Sequence, residues 1–340
     1  MNRLIYILLL SFILFSCIPE DSPVQPFERG DAVVTQVVMG SNYPKQIYFS
    51  LPNNTIVSEN IVSEWDLAFP CKDGDLLIKL NPAKEMKVYD LGEVNYDDVT
   101  VTDTTGIKTD DWQYDSPSGS TDSIAIGQWW KNESGQILSK NHVYILDRGL
   151  FFTGKKEEHY GIAKFQVIGF TDNTFKVRFT AFKNNESGEI EIEKDPTYNY
   201  VQLSFDDNGK VLKLQPPKEQ WDLLFTKDTD LAYTKDGFPE WYSVTNVIIN
   251  SNNVVAARID STDFESIDMS VIDTLDFSSN RNIIGYDWKT FDIDAGYYTV
   301  NDNIVYIIKN VDDFYFKLRF IDFYDDNGAK GTPTFEYKLL

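Results

Sequence analysis

The stretch "WDLAF" at residues 65–69 returns as "WDLLF" at 221–225. A strand alone accounts for one such pattern, because an aromatic followed by apolar residues suits a pleated, half-buried surface. Two further blocks favour a repeated domain. "IGQWWK" (126–131) returns as "IGYDWK" (284–289), and "FKVRFTAF" (175–182) returns as "FKLRFIDF" (316–323). The three pairs keep their order at separations of 156, 158 and 141 residues, so the chain reads as a tandem duplication.

The repeated blocks alternate as strands do. In 175–181, Phe175, Val177, Phe179 and Ala181 share one face, with Lys176, Arg178 and Thr180 on the other. Phe316, Leu318 and Phe320 repeat this against Lys317 and Arg319. Upstream of the tryptophan, Ile47 and Phe49 correspond to Leu203 and Phe205. "SFDDNGKVLKL" (204–214) predicts a hairpin, because Asp-Asn-Gly tolerates the positive φ of a tight turn. With 23 Phe and 19 Tyr and no sustained helical period, the expected fold is all-β: two tandem antiparallel β-sandwich-like domains. A length of 340 residues suits two domains. The boundaries fall at 32–194 and 195–340, joined near 183–196. Trp65, Trp221, Trp130 and Trp288 recur in both copies and are assigned to the shared fold, as packed indoles on core strands.

The N-terminus stands apart from both copies. Arg3 precedes the apolar run "LIYILLLSFILF" (4–15), the length of a signal-peptide core. "LFSC" (14–17) then resembles a lipobox, with Cys17 as the lipidated first mature residue. An ordinary secretory signal is the alternative. Residues 1–16 are thus expected to be removed, and the acidic, proline-rich 17–31 to form a tether. Its acidic residues resemble surface-export signals, which would place the domains outside the outer membrane, held by acyl chains.

Composition excludes some functions. Lys and Arg total 31 against 53 Asp and Glu, a formal charge of −22 that repels nucleic-acid phosphate. With Cys17 lipidated only Cys71 remains, which forbids an intramolecular disulfide, and no neighbouring base activates it. No zinc spacing, phosphate loop or nucleophile elbow occurs. "DTT" (103–105), "DSI" (122–124), "DST" (260–262) and "DTL" (273–275) resemble bacterial O-glycosylation acceptors, but such tripeptides arise readily in this composition.

"NYPKQIYFSL" (42–51), "WDLAF", "IGQWWK" and "VYILD…YGIAKFQVIGF" (143–170) resemble, in that order, the HmuY family of bacterial haem-binding lipoproteins. "WDLLF", "VVAARIDSTDFESI" (254–267), "IGYDWK" and "VYIIKNVDDFYFKLRFIDFY" (305–324) resemble it a second time. The resemblance implies a non-catalytic β fold that captures haem outside the cell and passes it to an outer-membrane receptor. It also implies two histidines, or methionines in related proteins, gripping the iron from opposite faces.

The copies differ where such ligands would lie. Gly127 and Phe175 are 48 residues apart, but Gly285 and Phe316 only 31. The longer segment holds both histidines of the chain, His142 and His159. Phe151 and Phe152 are candidates for a porphyrin wall, and Arg148, Lys155 and Lys156 for propionate contacts. "GKKEEH" reads equally as a solvated hairpin tip, and His142 as an edge residue. Met39, Met86 and Met269 are scattered, and the second copy, which has no histidine, offers Met269, Tyr297 or Tyr298 or no ligand. Two further hypotheses stay open: a glycan- or protein-binding surface on the same fold, expected to show aromatics lining an open groove, and an enzyme with paired carboxylates.

Overall fold

The computed structural model describes residues 31–340 apart from 119, 154, 155, 234, 235, 261, 262 and 293. The signal segment, Cys17, all of the tether but Asp31, and Lys155 lie outside the described residues. The fold is all-β, as the alternation predicts, and its main sheets are antiparallel.

Two sandwiches are built to one plan. In the first, a five-stranded sheet runs in the order Glu186–Glu193, Thr174–Ala181, Ile162–Thr171, His142–Asp147, Lys87–Glu93. It packs on a four-stranded sheet ordered Lys210–Leu212, Tyr200–Ser204, Leu67–Pro70, Lys79–Leu80. Leu67, Phe69, Leu146, Phe165, Val177, Phe179 and Leu203 fill the space between them. In the second, the five-stranded sheet is Val33–Gln36, Lys330–Leu339, Tyr315–Tyr324, Ile304–Lys309, Val255–Asp260. Its four-stranded partner is Thr55–Ile61, Lys45–Ser50, Leu223–Tyr233, Pro239–Ile249.

These orders show that the modules interleave. Strand Lys45–Ser50, from the first copy, pairs with Leu223–Tyr233 of the second (Phe49 opposite Leu223), while Tyr200–Ser204 pairs with Leu67–Pro70 (Leu203 opposite Leu67). Val33–Gln36 likewise completes the far sheet, Val33 facing Tyr337. Val37, Met39, Ile47, Phe49 and Leu51 are consequently buried in the core of the second module. Strand pairing thus crosses the expected division at 194/195 in both directions. The spatial modules are roughly 65–215 and 33–62 plus 216–340, the first inserted in the second.

The repeated aspartate fastens each crossing. Asp66 N–H donates to Leu203 O (2.8 Å), and its carboxylate accepts Phe205 N–H (2.7 Å). Asp222 N–H donates to Phe49 O (2.9 Å), and its carboxylate accepts Leu51 N–H (2.8 Å). The structural correspondence is therefore Phe49 with Leu203 and Leu51 with Phe205, two residues from the register expected, on the same face. Asn81 and Asn250 close the far side, their side-chain amides donating to Trp65 O (2.8 Å) and Trp221 O (2.7 Å).

The third block pair is not equivalent in space. Residues 316–323 occupy the place of 163–170. Lys164 Nζ donates to Tyr96 O (2.7 Å) and Val99 O (2.9 Å), and Lys317 Nζ to Phe264 O (2.6 Å) and Ile267 O (2.9 Å), each lysine pinning a loop over the outer sheet. This explains the discordant separation of 141. With Lys164 and Lys317 matched, 37 residues follow Gly127 and 32 follow Gly285, so the excess shrinks from seventeen to five. Trp129 rather than Trp130 is the counterpart of Trp288: both are buried, and their carbonyls accept Lys140 N–H and Asn301 N–H.

The second copy has its own extension. Twelve residues lead from Phe69 to Asn81, but 25 from Phe225 to Asn250. The surplus prolongs the hairpin of Leu223–Tyr233 and Pro239–Ile249, which reaches the first module. There Trp241 stacks on Tyr114 (centroids 4.5 Å apart) and Thr229 Oγ1 donates to Pro82 O (2.7 Å). Trp221 packs edge-on to Tyr48 at 4.9 Å, in a small cluster with Leu224 and Ile248 apart from the sandwich core. A cavity of 80 Å³ lies in the seam between the modules, lined by Trp65, Asp115, Gln202, Asp228 and Arg281 among others.

Candidate functional site

The two histidines do not converge. His142 begins a strand and lies opposite Glu93, with Nδ1 2.8 Å from Asp90 Oδ2. His159 is exposed and sits opposite Leu150, where the hairpin of 142–147 and 162–171 is prolonged by strands Leu150–Thr153 and Lys156–His159. The ladder places His159 eight residues along from His142, roughly 26 Å at ~3.3 Å per residue. An iron atom needs both imidazoles within about 2 Å, so this pair cannot grip one haem. Glu157 and Glu158 pair with Phe152 and Phe151, on the solvated hairpin that the sequence also allowed. The side chains of Phe151, Phe152 and Lys156 are not among those described.

Arg148 is removed from the propionate set for a different reason. It is buried, its guanidinium bonds both carboxylate oxygens of Asp66 (Nε 3.0 Å, Nη2 2.9 Å), and Nη2 also meets Asp206 (2.8 Å). Lys84 Nζ joins the same carboxylate. Burial alone would raise the Asp66 carboxyl, but Lys84 and then Arg148 outweigh it and hold the group below the ordinary range. Here the basic residue locks the interleaved strand in place. The second module has Asn310 at the position of Arg148, and burial pushes its Asp222 carboxyl up to about 6.

The described residues do form an aromatic cleft in the second module. It has a volume of 270 Å³ and lies between the extended hairpin (Ala232, Tyr242, Val244, Thr245) and the segment carrying Tyr286, Lys289, Phe291 and Tyr298. Its rim is open, with Tyr242 54% and Phe291 45% exposed. Phe291 and Tyr298 face each other across paired strands at 4.9 Å. Lys289 forms part of the wall. Its Nζ donates to Thr245 O (3.0 Å) and lies over Trp288 (4.4 Å), Phe323 (4.8 Å) and Tyr298 (5.6 Å). Burial pulls its ammonium down to about 7, against the opposing pull of Asp287.

Of the residues picked from the sequence, only Tyr298 lines this cleft. Tyr297, next to it, is exposed, and Met269 is exposed on a separate short helix, Met269–Thr274. Cys71 is free and buried, its thiol raised by burial. No cluster of three His, Cys, Asp or Glu able to hold a metal occurs among the described residues. Two signals in the sequence pointed to the cleft: the longer Phe225–Asn250 interval and the lysine of "IGYDWK".

A family model described as HmuY protein matches the chain twice, over residues 42–200 and 201–337. The chain belongs to the HmuY family. It carries two tandem copies of that unit, and the crossed pairing described above is how this HmuY-type chain assembles them. Solved structures similar to it include apo PinO from Porphyromonas gingivitis, 11% identical over 92% of this chain and 98% of the other (TM-score 0.27). The apo HmuY analog of Tannerella forsythia is 10% identical over 92% and 98% (TM-score 0.24). A Bacteroides vulgatus protein described as HmuY-like and heme-binding is 20% identical over 52% and 90% (TM-score 0.17). No curated protein matches the chain.

Proposed function

We propose that this is a lipid-anchored, surface-exposed HmuY-type binding protein whose second module takes a flat, largely apolar ring, haem or another porphyrin, into the aromatic cleft. The cleft carries the reading: three aromatic side chains, Tyr242, Phe291 and Tyr298, converge beside an open rim. Family membership supports the ligand class. Aromatic faces stack on a conjugated ring with about 0.5–1.5 kcal/mol per pair beyond the area buried. The cleft suits the ring better than the iron, for its lining includes no histidine, methionine or cysteine, and the hydroxyl of Tyr298, the ligand candidate it does hold, is engaged by Tyr43. Cys17 would tether the modules to the outer membrane, and bound ligand would pass to a receptor or be drawn from a haem protein. Exposed Tyr242 and Phe291 also favour a second reading, a glycan stacked on the same aromatics.

Titration of the purified protein with haemin and with metal-free protoporphyrin IX, read by absorbance and fluorescence quenching, tests this. Both porphyrins should bind comparably, both should be weakened by Phe291→Ala and Tyr298→Ala, and neither should respond to His142→Ala or His159→Ala. Binding of haemin alone, abolished by either histidine variant, would overturn the proposal, as would saturable binding of an oligosaccharide with no binding of either porphyrin.

A further inference from the structure

We propose that Lys289 is a covalent capture site for aldehydes, its amine condensing with the carbonyl of a flat aldehyde held against Phe291 and Tyr298. This rests on reading the cleft as a ligand site and adds a bond-forming step to it.

The argument begins from how the buried lysines differ. Lys164 and Lys317 each donate to two loop carbonyls within 3 Å and hold those loops. Lys84 has a carboxylate. Lys289 has one backbone carbonyl, Thr245 O, and three aromatic faces. The nearest acid in sequence, Asp287, is exposed and paired with Arg258. Aromatic faces offset only part of the desolvation of an ammonium, whereas a neutral amine needs only to donate one N–H and keeps its lone pair free. Lys289 lines the cleft together with two of the residues its amine touches, Thr245 and Tyr298. The downward pull of burial on the ammonium, noted above, agrees with this geometry. A desolvated lysine beside an apolar pocket is the usual arrangement for an amine nucleophile.

The chemistry balances without a redox partner. The nitrogen lone pair adds to the carbonyl carbon, the carbonyl oxygen takes up a proton, and the carbinolamine loses water to leave C=N. One amine and one aldehyde give one imine and one water.

Incubating the protein with benzaldehyde and sodium cyanoborohydride traps the adduct, hydride going to the imine carbon and a proton to nitrogen, and peptide mapping by mass spectrometry locates it. At pH 7 Lys289 should be labelled at least ~10-fold faster than exposed lysines, which are almost wholly protonated with an ordinary pKa of about 10.4. Its rate should rise with a midpoint near pH 7, and Phe291→Ala should slow it while leaving exposed lysines unchanged. Labelling of Lys289 no faster than that of exposed lysines, or none, overturns the inference. If protoporphyrin still binds in a Phe291-dependent way, the cleft reading survives that failure. If neither aldehyde nor porphyrin engages the cleft, both fall. Because the rate of Lys289 against exposed lysines is read on the wild-type chain, a misfolded variant cannot imitate the result that overturns the inference.

Discussion

Asp66 and Asp222 occupy the same place in the same three-residue motif, yet neutralising them should have very unequal consequences. Asp66 lies between Lys84 and the bidentate Arg148, all three buried. Asp66→Asn leaves both cations in a low-dielectric site, Arg148 keeping only the half-exposed Asp206. Removing one partner of such a set costs about 3–5 kcal/mol. Against a typical domain stability of about 5–15 kcal/mol this is severe. At ~2–4 °C per kcal/mol for a module of this size, the first module should melt roughly 10 °C lower. Asp222 has no cation beside it among the described residues, and only Leu51 N–H (2.8 Å) and Val311 N–H (3.4 Å) reach its carboxylate. Its carboxyl is raised to about 6 from 3.8, chiefly by burial. At ~1.36 kcal/mol per unit, ionising it at pH 7 opposes folding by about 3 kcal/mol. Asp222→Asn relieves that but weakens charge-assisted hydrogen bonds worth about 1.5–3 kcal/mol. The net change at pH 7 should therefore be within ~1 kcal/mol of zero. The pH dependence follows the same signs. Because its folded pKa is raised, Asp222 makes stability fall as pH rises through about 4–6, and the variant should lose that slope. Asp66, with a depressed folded pKa, contributes stability that is present above the unfolded value and lost as pH falls below it. Thermal melts from pH 4 to 8, with hydrogen exchange followed separately at 142–181 and 304–339, distinguish the two modules. Equal destabilisation of both modules, or a larger loss for Asp222→Asn than for Asp66→Asn, would refute the reasoning.

Gly149→Ala should destabilise the first module by about 3 kcal/mol or more, seen as a lower melting temperature. Gly149 has φ +76°, and an added Cβ would come within 1.7 Å of the Lys84 carbonyl oxygen. Trp241→Ala should speed hydrogen exchange in 229–242 without changing it in the core strands, because the Tyr114 stack it removes, worth about 0.5–1.5 kcal/mol, only docks the hairpin tip. Asp115 and Asp228, both buried at the seam cavity and raised to about 6, should add to the fall in stability between about pH 4 and 6. Asp228→Asn should flatten that fall in equilibrium urea unfolding.

Strand content and the duplication were legible because alternation and repeat are local signals, whereas the buried fastening role of Asp66 and Asp222 was not. Interleaving was not legible either. The hairpin carrying Ile47 and Phe49 presents the same apolar face to Leu223 as it would to Leu67, so nothing in either strand states which copy it joins. The pairing of 175–182 with 316–323 failed for a related reason: neighbouring strands in one sheet share the same alternation, and only the buried Lys164 and Lys317 identify true counterparts. Arg148 read as a surface cation because its partners Asp66, Lys84 and Asp206 are far away in the chain. The cleft escaped notice because Tyr242 and Phe291 belong to separate hairpins brought together only by tertiary packing.

Expression of two fragments, 64–215 and 32–194, tests the interleaved assembly most directly. Residues 64–215 contain every strand of the first sandwich, with Phe205 N–H present to meet Asp66. This fragment should unfold in a single cooperative transition with full amide protection in Leu67–Pro70. The 32–194 fragment lacks Tyr200–Ser204 and carries 33–61 without the sheet those strands complete, so it should show neither. A cooperative fold for 32–194, with strand Lys45–Ser50 protected, would contradict the crossed pairing.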